Sequence, residues 1–482
     1  MFFASLVAAF VSLQSVSFSP TTAQFHPFPR PRPVLPDAYA VDFVATAARG
    51  IAMNRAGDVA GTAYLDTGCG SFCLPPQETV VWSGGNRFVL PSVPGLTGIY
   101  VKDINRDGWV VGLAGYPYTA THAVVWIPSG GNYQAIDLGT LPGTNSSEAT
   151  GIDDQGRVVG WSTTTSFPPN GSPFVWTLGG GMVDLSAVGF PDEMPMAISD
   201  GGTVATVTSW YRLGDPSSVH PIATPPTGYG HNAGSVAVND AGDQGRFLVR
   251  TSGQNLVYLY RYHHEGSWQQ LSAAPTGHLS TYGIGSIDAF RTVTATVQGT
   301  GVIAFGPEGS AQSLASLVST AYPEATVGWG GPTDASGAVL TQVMIGRSQR
   351  VARLVPVSRC AGTCMRVGDM TVIADFVPDP SDPTQDHCSP TLNAHNEALV
   401  TVTVTDPSGF PIAGAIVSGR FLDDYWTDDA VVQTTNGNGV ATFRYTGLCG
   451  VGAIAFLVDD VNQSGATLDR TVGVLTGWTI PN

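Results

Sequence analysis

One pattern of apolar and polar positions recurs along most of the chain. An apolar residue is followed by Asn, Asp or Ser, a glycine usually stands three positions further on, and a second apolar run follows. Residues 104–112 (INRDGWVVG) show it most clearly. Asn, Asp and Ser open turns by bonding their own backbone, and glycine accepts the left-handed conformation that such turns need. The pattern therefore predicts a β-hairpin with its turn.

The pattern occurs seven times, with anchor positions 40 to 51 residues apart. Copy six lacks its turn glycine. The anchors are Asn54, Asn105, Asp153, Ser199, Asn239, Asp288 and Asp334.

Each hairpin is followed by two further strand patterns. The third strand is apolar and usually ends in an aromatic residue, as at 80–82, 124–126, 174–176, 258–260 and 302–305; the last is 351–354. The fourth is clearest at 135–138 and 182–185. In copy four, residues 220–223 (HPIA) stand where the aromatic strand is expected. Four short strands per repeat are typical of a β-propeller blade, whose faces are buried by its neighbours.

The two ends of the array complement each other. Copy seven ends after its third strand, near Pro356, whereas residues 40–43 (AVDF) match the fourth-strand pattern of residues 135–138 (AIDL). An N-terminal strand that completed the last blade would close the ring and remove two sheet edges. This count predicts a seven-bladed propeller over residues 38–358. Six blades with one irregular insertion is the alternative.

Three segments carry a resemblance to a known family. Residues 149–160 (ATGIDDQGRVVG), 122–126 (HAVVW) and 137–143 (DLGTLPG) resemble the segments that define the HAF repeats of bacterial exported proteins. The resemblance extends over residues 38–358 and is closest in copies one to three. It implies an exported, propeller-like repeat domain and brings no catalytic residue with it.

The composition changes after Ser358. Residues 398–405 (ALVTVTVT) alternate with the period of a half-buried strand, and further strands are predicted at 416–419, 440–443 and 453–458. Residues 436–439 (NGNG) read as a hairpin turn. An antiparallel sandwich is therefore predicted over residues 359–482. Residues 365–370, 401–421 and 434–441 resemble the bacterial Ig-like modules appended to exported hydrolases and adhesins, which act as spacers or binding surfaces.

The N-terminus has the pattern of an export signal. Residues 2–13 (FFASLVAAFVSL) form an apolar run of signal-peptide length, and residues 21–23 (TTA) offer a cleavage site. We therefore predict a signal peptide over residues 1–23 and a proline-rich linker over residues 24–37. A short anchor that stays attached is the alternative. No other stretch reaches transmembrane length, so the mature protein is expected to be secreted or at the cell surface, without membrane insertion.

The composition of the chain argues against some classes of binding partner. The net charge is -16, only 12% of residues are charged, and Lys102 is the only lysine. An acidic chain without a basic cluster is a poor partner for nucleic acid or anionic lipid. A hydrophobic content of 43% beside 59 glycines and 34 prolines fits short strands joined by turns better than disorder.

The six cysteines fit an oxidising compartment. Disulfides are favoured over a zinc site made by the cysteines at 360, 364 and 388 with His387. The economical pairing joins Cys69 with Cys73, Cys360 with Cys364, and Cys388 with Cys449, one of about 15 pairings.

Candidate chemistry is sparse. Asp103, Asn105 and Asp107 match the first half of a calcium loop. Ala114 stands where the loop needs a glutamate, and other copies lack these acids. A plain hairpin turn is favoured, with calcium at this copy as the alternative and no other cofactor predicted.

For two further groups of residues, a ligand or catalytic site is the alternative to a structural role. Residues 263–266 (HHEG) lie where a third strand turns into a fourth, so an exposed turn is favoured over a metal or acid–base site. The acidic pairs at 423–424, 428–429 and 459–460, two of them flanking Tyr425 and Trp426, are expected in solvated loops rather than in a sugar or calcium grip. The strand-end aromatics are expected to pack between blades.

No catalytic residue is predicted, because nucleophile-elbow, zinc-protease and phosphate-loop motifs are all missing from the sequence. The leading hypothesis is an exported, non-catalytic binding or extracellular-matrix protein. Its propeller loop face or mouth would bind a carbohydrate polymer or another extracellular protein. The alternatives are a polysaccharide-active hydrolase or lyase with its site at the mouth, and an adhesin or structural assembly component. Carboxylates, His or Arg converging within about 6–10 Å at the mouth would favour the enzyme. A mouth of Ser, Thr, Gly and Val would exclude it.

Overall fold

A computed structural model describes residues 36–481, except for residues 47, 65–76, 116–119, 166–170, 253–255, 273–276, 279–281, 298, 307–308, 347, 378–394, 424–427 and 448–452. The protein is all-β, with 61% of the described residues in strands. Residues 35–482 form one compact unit. In the part that the structure describes, no helix is long and apolar enough to cross a membrane. The predicted signal peptide and most of the predicted linker lie outside the described residues.

In the part of the chain that the structure describes, seven antiparallel sheets follow one another. Strand order within each follows sequence order, except for one added strand in sheet five and the N-terminal strand in sheet seven. Sheet one contains β2 (Ala48–Met53), β3 (Val59–Tyr64), β4 (Gln77–Ser83) and β5 (Asn86–Val89). Sheet two contains β6 (Ile99–Ile104), β7 (Val110–Ala114), β8 (His122–Ser129) and β9 (Asn132–Gly139). Sheet three contains β10 (Ser146–Ile152), β11 (Val158–Thr163), β12 (Gly171–Thr177) and β13 (Gly181–Asp184). Sheet four contains β14 (Ala197–Ile198), β15 (Thr203–Ala205), β16 (Ser209–Arg212) and β17 (Asp215–Pro221). Sheet five contains β18 (Tyr229–Val238), β19 (Gln244–Arg250), β20 (Leu256–His263), β21 (Ser267–Gln270) and the added β22 (Gly277–His278). Sheet six contains β23 (Tyr282–Ile287), β24 (Val293–Val297), β25 (Thr300–Ala304) and β26 (Ala311–Ser313). Among the described residues, two 3-10 helices, Ser186–Val188 and Leu314–Leu317, follow sheets three and six.

Sheet seven is completed by the N-terminal strand. Its strands from one edge to the other are β27 (Ala325–Val327), β28 (Val339–Ile345), β29 (Ser348–Val357) and β1 (Ala38–Thr46). β1 runs antiparallel to β29, with Ala38 opposite Val357 and Val41 opposite Leu354. The expected pairing of residues 40–43 with the last repeat is therefore confirmed.

Successive residues of the repeat strands pack in opposite directions. Val110 and Val111 are both fully buried. Val110 belongs to a core that includes Val81 of sheet one, whereas Val111 belongs to a core that includes Phe174 of sheet three. Because adjacent strand residues point to opposite faces, this sheet is covered on both sides. That explains why its sequence reads as a continuous apolar run rather than an alternation.

The C-terminal part consists of two further four-stranded sheets. One contains β30 (Cys364–Val377), β31 (His395–Thr405), β34 (Val440–Gly447) and β36 (Thr467–Leu468); the other contains β32 (Ile416–Asp423), β33 (Asp428–Thr434), β35 (Ile454–Asn462) and β37 (Thr476–Thr479). Phe443 of the first sheet lies 4.9 Å from Phe456 of the second, ring centre to ring centre. Both sheets share one core with sheet seven.

Three local predictions are wrong: the third strand of copy four, the hairpin at residues 436–439 and the loop position of the acidic pairs. The aromatic third strand of copy four is Ser209–Arg212, and His220 lies in the fourth strand. A tight turn after Ala205 brings the third strand forward in sequence. Residues 436–439 do form a tight turn, but it joins β33 and β34, which belong to different sheets. It is therefore not a hairpin.

The described members of the acidic pairs lie in strands and not in loops: Asp423, Asp428, Asp429, Asp459 and Asp460. Asp423 ends β32, is fully buried and accepts a hydrogen bond of 2.9 Å from the Tyr445 hydroxyl. Asp459 lies in β35 and pairs with Arg420 at 3.0 Å. Sequence spacing alone did not show these partners, because they come from other strands. Asp424, Tyr425 and Trp426 lie outside the described residues.

Candidate functional site

The seven repeat turns have the same backbone geometry. In each, the anchor N–H donates to the carbonyl four residues on, and the N–H three residues on donates back to the anchor carbonyl. The anchor side chain also accepts a backbone N–H; in copy one, Asn54 Oδ1 accepts from Ala56 at 3.0 Å and from Asp58 at 2.9 Å. Six turns place a glycine at positive φ, such as Gly108 at 77°. The hairpin predicted from the pattern is confirmed.

Copy six shows how the motif survives without glycine. Arg291 takes the left-handed position with φ 67°, and it is the one non-glycine residue at positive φ in the described chain. Its guanidinium donates to Asp243 Oδ2 at 2.9 Å and to Glu265 Oε1 at 3.2 Å. A left-handed L-residue costs about 1–2 kcal/mol. The two ion pairs, one to a buried carboxylate, offset this strain.

Hydrogen bonds at or directly beside the turns link the seven hairpins into a closed cycle, which we call the turn ring. Asn54 Nδ2 donates to the Asn105 carbonyl at 2.9 Å, and Asn105 Nδ2 donates to the Asp153 carbonyl at 3.0 Å. The links from turn three to turn seven are Asp154 N to Asp200 O, Thr203 Oγ1 to Asp240 O, Asn239 Nδ2 to Asp288 O, and Ser286 Oγ with Thr333 Oγ1. Ala335 N closes the cycle on the Arg55 carbonyl at 3.0 Å.

In copies one to five, the residue after the anchor is charged, and these side chains meet on the inside of this ring. Arg55 of turn one forms an ion pair with Asp200 of turn four. Turns one and four are not neighbours in the cycle, so this contact crosses the ring. From copy one to copy seven, the residues at this position are Arg55, Arg106, Asp154, Asp200, Asp240, Ala289 and Ala335.

Each carboxylate in this group already has a partner. Arg106 donates its N–H to Asp154 Oδ1 at 3.0 Å, and its guanidinium lies 3.7 Å from the other oxygen. Asp240 Oδ1 accepts the Gly201 N–H at 2.7 Å. Two arginines and three aspartates therefore converge inside the turn ring as a connected polar network. Most of these side chains stay open to solvent; Arg55 is 53% and Asp200 37% exposed.

Burial raises the pKa values of three acids at or beside the repeat turns, Asp103, Asp200 and Asp288. The enclosed position of Asp103 raises its pKa to about 7; the negative charges of Asp200 and Asp154 add to this, and N–H bonds from Ile152 and Ile104 oppose it. Burial also raises the pKa of Asp200, with Arg55 acting in the opposite direction. Near neutral pH, Asp103 therefore holds its proton much more strongly than an ordinary aspartate does.

The three calcium candidates have separate roles. Asp103 Oδ1 and Oδ2 accept the N–H groups of Ile104 at 2.8 Å and Ile152 at 3.0 Å, which ties copy two to copy three. Asn105 is buried, and its Oδ1 accepts the Trp109 N–H at 2.9 Å. Asp107 is exposed at the tip of the turn. The oxygens of Asp103 and Asn105 thus already hold the backbone together.

Residues 263–266 form the predicted turn, but the structure gives it unexpected partners. His264 Nδ1 lies 2.9 Å from Asp243 Oδ1, and its Nε2 lies 3.4 Å from Glu265 Oε1. Asp243, His263 and Glu265 are the one group in the described chain whose ligand atoms could share a metal ion. The Arg291 guanidinium already binds both of these carboxylates. A cation would have to displace that charge, so the group is better explained as an ion-pair cluster.

One predicted disulfide lies within the described chain. Cys360 and Cys364 are bonded, with their Cα atoms 6.1 Å apart. The predicted bonds of Cys69 with Cys73 and of Cys388 with Cys449 lie outside the described residues, as does His387.

Comparisons with known proteins give no name for this site. No protein-family model and no curated protein matches the chain. A prolyl oligopeptidase B from Galerina marginata matches 71% of this chain and 37% of its own length at 9% identity and a TM-score of 0.28. A Bombyx mori β-fructofuranosidase matches 92% and 89% at 10% identity and a TM-score of 0.28. A polysaccharide lyase described as an ulvan lyase matches 90% and 97% at 9% identity and a TM-score of 0.23. These scores are too low to carry an argument about activity.

Proposed function

We propose that the seven repeat sheets are blades of a seven-bladed β-propeller, followed by an Ig-like sandwich, and that the turn ring is the propeller's ligand-binding mouth. Three features support the fold: sheets built from consecutive segments, an N-terminal strand that closes the last sheet, and the closed cycle of turn-to-turn hydrogen bonds. The HAF-repeat resemblance and an exported location belong to the same proposal.

The activity that we propose is binding of a carbohydrate polymer without catalysis. The observation that carries it is the Arg55–Asp200 ion pair across the ring, which sets fixed donors and acceptors in a solvent-open position. A guanidinium only donates hydrogen bonds and a carboxylate only accepts them. A sugar hydroxyl does both, so a network that alternates the two groups suits a polyol. The carboxylates already have partners, which favours binding over proton transfer.

A glycan and polymer array with the mature protein tests this proposal. We expect the wild type to bind at least one polysaccharide and the double variant Arg55→Ala/Asp200→Ala to bind it at least tenfold more weakly. Removing both partners avoids leaving one charge alone. The matched control is Arg87→Ala/Glu78→Ala, which removes an ion pair of the same type between β4 and β5. Equal binding by both double variants, or a wild type that binds nothing, would refute the proposal.

The second candidate is a polysaccharide hydrolase or lyase that uses the same opening. Asp103, with its pKa raised to about 7, lies near Asp154 and Asp200. Glycoside hydrolysis uses a protonated carboxyl beside an ionised one. The test is release of reducing ends or unsaturated ends from the polymers that bind. Product formation that Asp103→Ala abolishes would replace the binding proposal; no product from the wild type would eliminate this candidate.

A further inference from the structure

A cavity of about 460 Å³ lies between sheet seven and the C-terminal sheets. Its aliphatic surface comes from β1 and β29, and its polar surface comes from both parts of the chain. Small-molecule sites commonly have volumes of about 300–1,000 Å³ and lie where two parts of a protein meet. The charged residues that line it are Asp42, Asp334, Arg353, Arg420, Asp459 and Arg470.

The two sides of the cavity are held in a fixed relation. Sheet seven and the C-terminal sheets share one buried core. The Ser319 hydroxyl donates to the Arg470 carbonyl at 2.6 Å, the Leu475 N–H donates to the Ala321 carbonyl at 2.5 Å, and Arg350 Nη2 donates to the Asp423 carbonyl at 2.9 Å. The cavity is therefore preformed, which lowers the entropic cost of binding.

Carboxylates orient the arginines of the cavity. Arg353 Nε donates to Asp42 Oδ2 at 3.1 Å. Arg420 Nε lies 3.0 Å from both oxygens of Asp459. Arg470 donates to the Asp459 carbonyl. Each guanidinium is thus held by a group from another strand or segment, as expected for a site whose donors are fixed before a ligand arrives.

The charge balance selects the ligand chemistry. The lining has three arginines and three aspartates, so its formal charge is zero. An anion would compete with Asp42 and Asp459 for their arginines and would be repelled by those carboxylates. A neutral polyol can accept from guanidinium groups and donate to carboxylates, while its C–H face packs on the aliphatic wall.

We propose that this cavity binds one neutral sugar unit, as a second site beside the turn ring. The observation behind it is the pairing of a preformed cavity with alternating, oriented donors and acceptors. The cavity shares turn seven with the turn ring, through Asp334 and Ser336, but none of the side chains inside the ring lines it, so it does not depend on binding there.

Saturation-transfer NMR and calorimetry with small probes test the cavity. The probes are glucose, galactose, mannose, cellobiose, galacturonate, inorganic phosphate and glycine. Ser336→Trp places a large ring at an exposed residue of the cavity lining, and Arg420→Ala/Asp459→Ala removes a complete pair. Arg55→Ala/Asp200→Ala serves as the control that alters only the turn ring.

We expect a neutral sugar to bind the wild type and the turn-ring variant equally, and both cavity variants at least tenfold more weakly. Loss in the turn-ring variant alone would place the sugar at the turn ring and overturn the cavity proposal. Binding of only galacturonate or phosphate would indicate an anion site, and binding of only glycine a zwitterion site; either overturns the proposal. So does a wild type that binds none of the probes.

Discussion

At the scale of single residues, the turn glycines are fixed by backbone conformation, and some also by close packing. Gly242 has φ 93°, and a Cβ there would meet Trp210 ring atoms at 2.8 Å. Gly84 also has positive φ, at 56°, but a Cβ there would meet nothing within 4 Å. Substitutions at the two positions therefore separate the free-energy cost of left-handed backbone strain from the cost of steric contact.

We predict that Gly242→Ala lowers the free energy of unfolding by about 2–5 kcal/mol, because left-handed strain and overpacking add. Gly84→Ala should cost about 1–2 kcal/mol, because only the strain applies. Urea unfolding followed by fluorescence measures both. Equal losses would show that the Trp210 ring moves aside without cost.

The titration of a single residue, Asp103, makes the stability of the folded protein depend on pH. Its pKa is about 7 in the folded protein, against about 3.9 in an unfolded chain. Between these values the folded state keeps a proton that the unfolded state has lost. Its contribution to stability is therefore complete below about pH 4 and is lost as the pH rises through 7.

We predict that the wild type loses roughly 2–4 kcal/mol of stability from this residue between pH 4 and pH 7, because each tenfold difference in proton affinity between the folded and unfolded states corresponds to about 1.4 kcal/mol. Asp103→Ala, which has the residue found in copies one, four and five, should show a flatter profile. Melting temperatures over pH 4–8 measure the difference. Parallel profiles for the two proteins would show that Asp103 titrates normally.

At the scale of elements, β1 is the strand that closes the repeat array. Val41 on this strand is 2% exposed and belongs to the core shared by sheet seven and the C-terminal sheets. Without β1, sheet seven would end at β29 with an unpaired edge, which favours aggregation. Val89 at the end of β5 provides a comparison, because it is 40% exposed.

We predict that Val41→Asp costs more than about 3 kcal/mol, since it buries an unpaired charge, and that the variant aggregates on heating. Val89→Asp should stay within about 0.5 kcal/mol of the wild type. Thermal melts and light scattering measure both outcomes. If Val41→Asp were as stable as Val89→Asp, β1 would not be part of the core.

At the scale of the whole molecule, the C-terminal sheets are joined to sheet seven by buried contacts and not by the linking chain alone. Trp478 Nε1 donates to Glu324 Oε2 at 2.9 Å, and its ring lies against Gly346. The shared core continues across this junction. The two parts should therefore unfold together.

We predict a single calorimetric transition for the wild type and two partly separated transitions for Trp478→Ala, because the substitution removes one of the rings that pack between the two parts. Val432→Ala is the control, since that residue of β33 is 61% exposed. Two transitions in the wild type, or one unchanged transition in Trp478→Ala, would contradict this coupling.

The sequence by itself determined the hairpins, the third and fourth strands of most copies, and the closing role of residues 40–43. These are local: an Asn or Asp acceptor and a glycine set a turn from within five residues, and a period of apolar positions sets a strand. Aligning the seven copies also identifies the side chains inside the turn ring, because they occupy the position after the anchor.

Only the tertiary structure decided which of these side chains meet. Arg55 reaches Asp200, Arg291 takes a glycine's conformation because Asp243 and Glu265 hold it, and Asp423 is buried under Tyr445. Each contact joins residues far apart in sequence. The distances between these side chains depend on how separate sheets pack and how the array closes, and no local pattern of residue types encodes that geometry.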